Sequence, residues 1–375
     1  MSKKIISYYI LIVIIQIGLT VSCKNNEKKN NINTDVKKLV FSEIRDSIPI
    51  SKFYRKVKYV TLETKENSLI GSVAKVIVAN NRILVWDDQQ NALFLFDISG
   101  KHMATAKLSG KGPMELIKVS DCDFNPITKE YAAFGNQNRL VFFDQNLKPI
   151  GDQSLQYQGI HFSFLDKGYA LNTHFYLNTA KKDDPVTQVL IIDQQSKILN
   201  RFFSNPIAKV IHHSPSLSFF RSNGVIFTLP CSDKMLWIKS DQVEEWEIDF
   251  GKYNHNYEDL YVKAVKGEID FDNIFYEKDK ISFFTHAYLV NDLLHFKGIY
   301  NRKYVTCFYD LKNQKSYAQR ELYNDLNGFP IGRIKAATND CFVYMIPTEE
   351  VYESALNDSL KLDLTANPIL AFYYE

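Results

Sequence analysis

The sequence predicts an all-β fold: a six-bladed β-propeller closed by pairing its two chain ends and preceded by a lipoprotein signal peptide. Three observations predict it. First, residues 69–124 hold four short apolar runs, at 73–79, 82–86, 92–96 and 103–108. Tight polar turns separate them at Asn80-Asn81, 87–91 and Ser99-Gly100-Lys101. Strands joined by turns this short make one up-and-down antiparallel sheet. Such a sheet needs cover on both faces, so it reads as one unit of an array. Second, a pattern of apolar residues, a polar residue, a turn and a lysine recurs at Asp97, Asp144, Asp193 and Asp310, with a weaker copy at 235–239. The chain ends on a sixth candidate, 369–374. Third, the first spacings are 47, 49 and 46 residues, a period that with four strands per unit marks a propeller.

From the N-terminus, Lys3 and Lys4 precede an apolar stretch at 5–19, and Leu19-Thr20-Val21-Ser22-Cys23 follows. A basic start, an apolar core and a small residue before the break are signal-peptide features. Cys23 stands where a bacterial lipobox places its acylated cysteine, although Thr20 occupies a position that is usually aliphatic. The expectation is a signal at 1–22, then a lipidated Cys23 and flexible tether over 23–50. The propeller follows over 51–375. The membrane is then a partner through the N-terminal lipid, and the location is the cell envelope, on either a periplasmic or a surface leaflet.

Later in the chain, the interval from 239 to 310 is 71 residues, and residues 250–280 read as an insertion there. Residues 347–366 are a polar departure with a short helix near 349–356. The chain ends on the copy that elsewhere precedes one more strand. Residues 58–63 (KYVTLE) can fill that vacancy and hide two open edges.

Composition agrees. Aromatic residues reach 14%, with 26 Phe and 22 Tyr, both strand formers. Without Lys3 and Lys4 the 45 basic residues fall to 43, equal to the 43 acidic ones, which gives no electrostatic reason for nucleic-acid binding.

Several phrases resemble the six-bladed propeller lipoproteins of Bacteroidetes-type bacteria, distant relatives of NHL-repeat propellers. They are Tyr59-Val60-Thr61-Leu62-Glu63-Thr64, Leu69-Ile70-Gly71, the run from Asn91 to Asp97 with Gly100-Lys101, the run from Gly110 to Leu116, and the terminal run from Asn367 to Tyr373. That pattern usually has a glycine where this chain has Met114. The resemblance implies the fold, export and lipidation, and implies little about chemistry.

Candidate residues for function are few. Gly110-Lys111-Gly112-Pro113 lacks the spacing of a phosphate loop and reads as a crossover between blades. Crossovers surround one mouth of the channel, so Lys111 and Glu115 are candidate ligand contacts. Asp121, Asp123 and Asn125 alternate like the start of a calcium loop, but the glycine and distal glutamate are missing. A strand at the channel is the better reading, with Asp121 facing the channel or its rim. The recurring Asp97, Asp144, Asp193 and Asp310 precede turns and read as backbone acceptors. The strip Tyr253 to Tyr261 (YNHNYEDLY) offers Tyr253, His255 and Tyr257 for stacking against a sugar. No His/Cys spacing fits zinc, so no metal or cofactor is expected. His161, His174, His212 and His286 fall near inner strands. Cys122, Cys231, Cys307 and Cys341 read as buried thiols at least as readily as disulfides. The leading reading is a non-enzymatic binding or scaffold module for a glycan, a peptide or an envelope protein. The alternative is a propeller enzyme of lyase, lactonase or glycosidase type, with its site in the central channel.

Overall fold

Three strands at the start of the chain open no blade of their own: β1 (Asp35–Val40), β2 (Arg45–Pro49) and β3 (Lys56–Thr61). In this computed structural model the described residues are 35–375 except 111, 113, 174–186, 205–217, 230–231, 240–241, 270–276, 353 and 361–362. Cys23, His174, His212, His213 and Cys231 therefore lie outside the described residues.

Blade 1 follows, with β4 (Lys75–Ala79), β5 (Arg82–Asp87), β6 (Ala92–Asp97) and β7 (His102–Lys107). Blade 2 holds β8 (Val119–Asn125), β9 (Glu130–Gly135), β10 (Arg139–Phe143) and β11 (Pro149–Ser154). Blade 3 holds β12 (His161–Leu165), β13 (Gly168–Asn172), β14 (Thr187–Asp193) and β15 (Ile198–Ser204). Blade 4 holds β16 (Phe219–Ser222), β17 (Gly224–Thr228), β18 (Lys234–Lys239) and β19 (Gln242–Asp249). Blade 5 holds β20 (Ile281–Val290), β21 (Leu293–Tyr300), β22 (Lys303–Asp310) and β23 (Lys315–Tyr323). Blade 6 holds β24 (Arg333–Ala337), β25 (Cys341–Ile346) and β26 (Ile369–Tyr374), with β3 as its outer strand. The first strand of each blade touches the first strands of both neighbours, which closes the ring.

Ring closure takes the form the sequence predicts. β3 pairs antiparallel with β26, with Tyr59 opposite Ala371. Asn367 locks the join. Its side chain donates to Glu63 O and Ser68 O and accepts from Ile70 N–H, at 2.8–2.9 Å.

The expected tether over 23–50 differs from the structure where residues are described. β1 adds parallel to β19 of blade 4, and β2 adds parallel to β23 of blade 5. The chain thus runs around the outside of three blades before blade 1 begins. Two physical reasons account for this. The outer edges of blades 4 and 5 carry unpaired backbone groups that a strand satisfies. The segment also carries apolar side chains that the blades cover: Leu39, Phe41, Ile48, Ile50, Phe53 and Tyr54 are all buried. Phe41 stacks on Phe250 at 4.4 Å, and Phe53 stacks on Phe308 at 3.8 Å. Each such side chain removed from water contributes roughly 2 kcal/mol.

The recurring aspartates fold the same turn three times, and Asp310 folds a variant of it. Asp97 accepts from the N–H groups of Ser99 and Lys101, Asp144 from Asn146 and Lys148, and Asp193 from Gln195 and Lys197. Asp310 accepts from Asn313 N–H. The insertion between blades 4 and 5 contains helix α1 (Tyr257–Val265), and the departure in blade 6 contains two short helices, α2 (Thr348–Tyr352) and α3 (Ala355–Leu360).

Candidate functional site

An inner propeller strand is a sheet edge, so every second N–H on it lacks a strand partner. The sequence supplies acceptors with the same period. Asp121 and Asp123 lie two apart on β8, and they accept from Phe162 N–H (3.1 Å) and Phe164 N–H (2.9 Å), which lie two apart on β12. Each carboxylate then draws in a cation from a different blade. Lys75 of β4 donates to Asp121 at 2.7 Å. Arg221 of β16 reaches Asp123 with Nε at 2.9 Å and Nη2 at 2.6 Å. Ser163 also donates to Asp123, at 2.6 Å.

Hydrogen bonds carry this connection around the remaining blades. Leu289 N–H of β20 donates to Ser222 Oγ at 2.9 Å. Tyr288 OH donates to Lys335 O of β24 at 2.7 Å, and Lys335 Nζ donates to Val73 O, just before β4, at 2.7 Å. The inner strands are thus stitched into a closed loop of polar contacts.

Burial and charge act together on the acids. Burial pushes the Asp121 carboxyl up to about 6, against the pull of Lys75. Burial also raises Asp123, but Arg221, Lys75 and Ser163 together outweigh it and hold that carboxyl below its ordinary range.

The blade 3–4 junction carries a second polar cluster. His161 Nδ1 lies 2.7 Å from Ser218 Oγ, Asn172 Nδ2 donates to the same oxygen at 2.6 Å, and Gln188 Nε2 donates to Asn172 Oδ1 at 2.7 Å.

Over the Arg221 end of the loop opens a cavity of about 620 Å³. The β-hairpin turns of five blades shape it: Asn80-Asn81, Pro126 to Lys129, Leu165-Asp166, Ser222 to Gly224, and Thr338 to Asp340. Asn80 and Asn81 both have positive φ, 54° and 58°, which makes the tight two-residue turn that asparagine tolerates. Arg221, Phe124, Phe164 and Phe372 also line the cavity. Four basic side chains (Lys58, Lys129, Arg221, Lys239) face two acidic ones (Asp166, Asp340) across it. Its size suits a small-molecule site.

The residues singled out in the sequence do not assemble at this cavity. Asp121 is on the inner strand β8, fully buried and bound to Lys75, Cys122 N–H and Phe162 N–H. Glu115 lies on the crossover between blades 1 and 2 and turns back onto its own loop, accepting from Gly112 N–H at 2.8 Å. Met114, where the resembling family has glycine, keeps the left-handed backbone with φ 63°. Lys111 lies outside the described residues. Tyr253, His255 and Tyr257 belong to the crossover between blades 4 and 5. Tyr253 packs edge-on against Tyr300 at 5.6 Å, and His255 is buried with Nδ1 3.1 Å from Glu277 and its ring 5.4 Å from Tyr257. Burial lowers the His255 pKa. The strip is thus packed onto the rim. Sequence reasoning missed Arg221 and the asparagine turns as cavity residues. The Asn80-Asn81 pair was readable as a turn, but nothing local marks the partner of Arg221. Cys122, Cys307 and Cys341 are buried free thiols. Among the described residues no three His, Cys, Asp or Glu side chains cluster in a metal-holding arrangement.

Comparison with known proteins gives the following. The family described as "Domain of unknown function (DUF4934)" matches residues 32–374. A solved Bacteroides fragilis chain described as a "putative exported protein" is 18% identical, with a TM-score of 0.71 over 90% of this chain and 99% of that one. A member of the duf4221 family from Bacteroides vulgatus is 11% identical, with a TM-score of 0.50 over 86% of this chain and 96% of that one. No curated protein matches at a significant level.

Proposed function

We propose that this chain, which belongs to the DUF4934 family, is an exported, lipid-anchored binding module of the bacterial cell envelope, and that it holds an acidic glycan in the hairpin-face cavity. The observation that carries this reading is the cavity itself. Its size fits a ligand of a few sugar units. Lys58, Lys129 and Lys239 are exposed around it, and asparagine amides stand between them. Amides hydrogen-bond sugar hydroxyls, and lysines attract carboxylates. The acids beneath the cavity are engaged in holding the ring, since Asp121 and Asp123 each accept several hydrogen bonds. Export and anchoring rest on the basic start, the apolar stretch and Cys23. The exported-protein description of the Bacteroides fragilis structure supports the same address.

The test uses the detergent-solubilised full chain with uronic-acid oligosaccharides, neutral oligosaccharides and peptides. Melting temperature and product release are followed together. A melting shift with uronic-acid oligosaccharides and no product supports the reading. Release of shortened sugars would make the protein an enzyme instead. A shift only with peptides would replace the ligand class. Replacing Cys23 with alanine is expected to abolish fatty-acid incorporation, and continued labelling of Cys23→Ala would refute the anchor.

A further inference from the structure

A second concavity, of about 470 Å³, lies between blades 2 and 3. It adjoins the hairpin-face cavity, because Phe164, Leu165 and Asp166 line both. Its blade 2 wall is apolar. Ile127 projects there from the β8–β9 turn and Ile150 from β11, and both are exposed. A bulge places Ile150: Phe142 pairs with Gly151 and Phe143 with Pro149, so Ile150 has no residue opposite it on β10. The blade 3 wall is made of amides. Gln194 and Gln195 are exposed in the turn after β14. Gln153 of β11 spans the two blades, donating to Gln194 O at 2.7 Å and accepting from Tyr169 OH at 2.9 Å.

Charge separates the two compartments. Four basic and two acidic side chains line the cavity, whereas Glu130 and Asp166, both acids, are the charged residues that line the groove. Building on the cavity as an acidic-glycan site, we propose that the groove is a second subsite, for an N-acetylated amino sugar, so that the chain held here alternates an acidic sugar with an N-acetylamino sugar. A uronic acid in the groove would set its carboxylate beside Glu130 and Asp166 with no cation between them, which repels it. A sugar bearing hydroxyls alone would leave Ile127 and Ile150 without an apolar partner. An acetamido group answers both walls. Its methyl covers the isoleucines, and its N–H and C=O pair with glutamine amides. The adjoining wall at Leu165 and Asp166 lets neighbouring sugars of one chain occupy the two compartments.

The experiment measures affinity of the full chain in detergent by titration calorimetry with two probes. Hyaluronan oligosaccharides alternate glucuronic acid with N-acetylglucosamine, and oligogalacturonides carry a carboxylate on every sugar. The probes are matched once for length and once for number of carboxylates. Hyaluronan oligosaccharides are expected to bind about tenfold more tightly in both comparisons. Ile150→Glu, at an exposed position, is expected to melt like wild type, to lose that advantage, and to keep its affinity for oligogalacturonides. Gln195→Ala is expected to weaken hyaluronan binding alone. Equal affinity for the two probes, or a preference that survives in Ile150→Glu, would overturn the subsite and leave the cavity reading standing. Binding of neither probe would overturn both. A lysine-rich peptide that binds where hyaluronan does not, and binds Ile150→Glu more tightly than wild type, would give the groove to a peptide instead.

Discussion

Arg221 reaches past an entire blade to Asp123. The guanidinium belongs to blade 4, the carboxylate to blade 2, and blade 3 is joined in between by Ser163 Oγ and Phe164 O, both 2.5–2.9 Å from Nη2. A single arginine therefore holds three blades together where the hairpin-face cavity meets the channel.

Replacing Arg221 with methionine leaves the Asp123 carboxyl buried without its cation. Loss of one partner from a buried pair costs on the order of 3 kcal/mol. Urea denaturation is expected to show that loss for Arg221→Met. The double variant Asp123→Leu with Arg221→Met is expected to recover part of it, because the orphaned carboxyl is then gone.

Ring closure places a comparable demand on Asn367. Its side chain satisfies Glu63 O, Ser68 O and Ile70 N–H, groups that belong to the segment between β3 and β4. Asn367→Ala leaves these groups unsatisfied where the side chain is buried, at a cost on the order of 3 kcal/mol. The unfolding transition is expected to shift as one event. A local loosening with an unchanged main transition would mean that closure does not govern the ring.

His295 is fully buried among Phe308, Phe342 and Tyr344, and its Nε2 has no hydrogen-bond partner among the described residues. Burial first, then the charge of Lys297, lowers its pKa to about 3. The unfolded chain titrates this group near the ordinary value of 6.5. Between those values the unfolded state binds the proton and the folded state does not. Stability is thus lost as pH falls from 6.5 toward 3. His295→Phe is expected to reduce the acid slope of unfolding free energy by about one proton. An unchanged slope, measured as urea midpoints between pH 4 and 7, would show that His295 does not resist protonation.

The blades were legible because their signals are local. Alternating apolar runs, the Asn80-Asn81 turn and the four turn aspartates each occupy a few consecutive residues. The closing strand was legible from the phase of the repeat. β1 and β2 escaped because a lone parallel strand has no hairpin turn beside it, and their lysines and acids resemble a solvated tether. Leu39, Phe41, Ile48 and Ile50 were the available signal. Asp121 could be placed on an inner strand from its alternation with Asp123, but its partner Lys75 is 46 positions away and Arg221 is 98 from Asp123. The strip with Tyr253 and His255 invited a sugar-stacking reading. Packing took it instead, since the rim of blade 5 offers Tyr300 and Glu277 as partners.

The central claim is that the hairpin-face cavity is the binding site. The direct measurement is lysine acetylation of the full chain, read by peptide mass spectrometry with and without a uronic-acid oligosaccharide. Lys58, Lys129 and Lys239 are exposed around the cavity, while Lys107 is exposed on the outer strand of blade 1. The predicted result is protection of the three cavity lysines in step with the melting shift, with Lys107 labelled equally in both samples. A melting shift that leaves all three cavity lysines fully labelled would contradict the assignment.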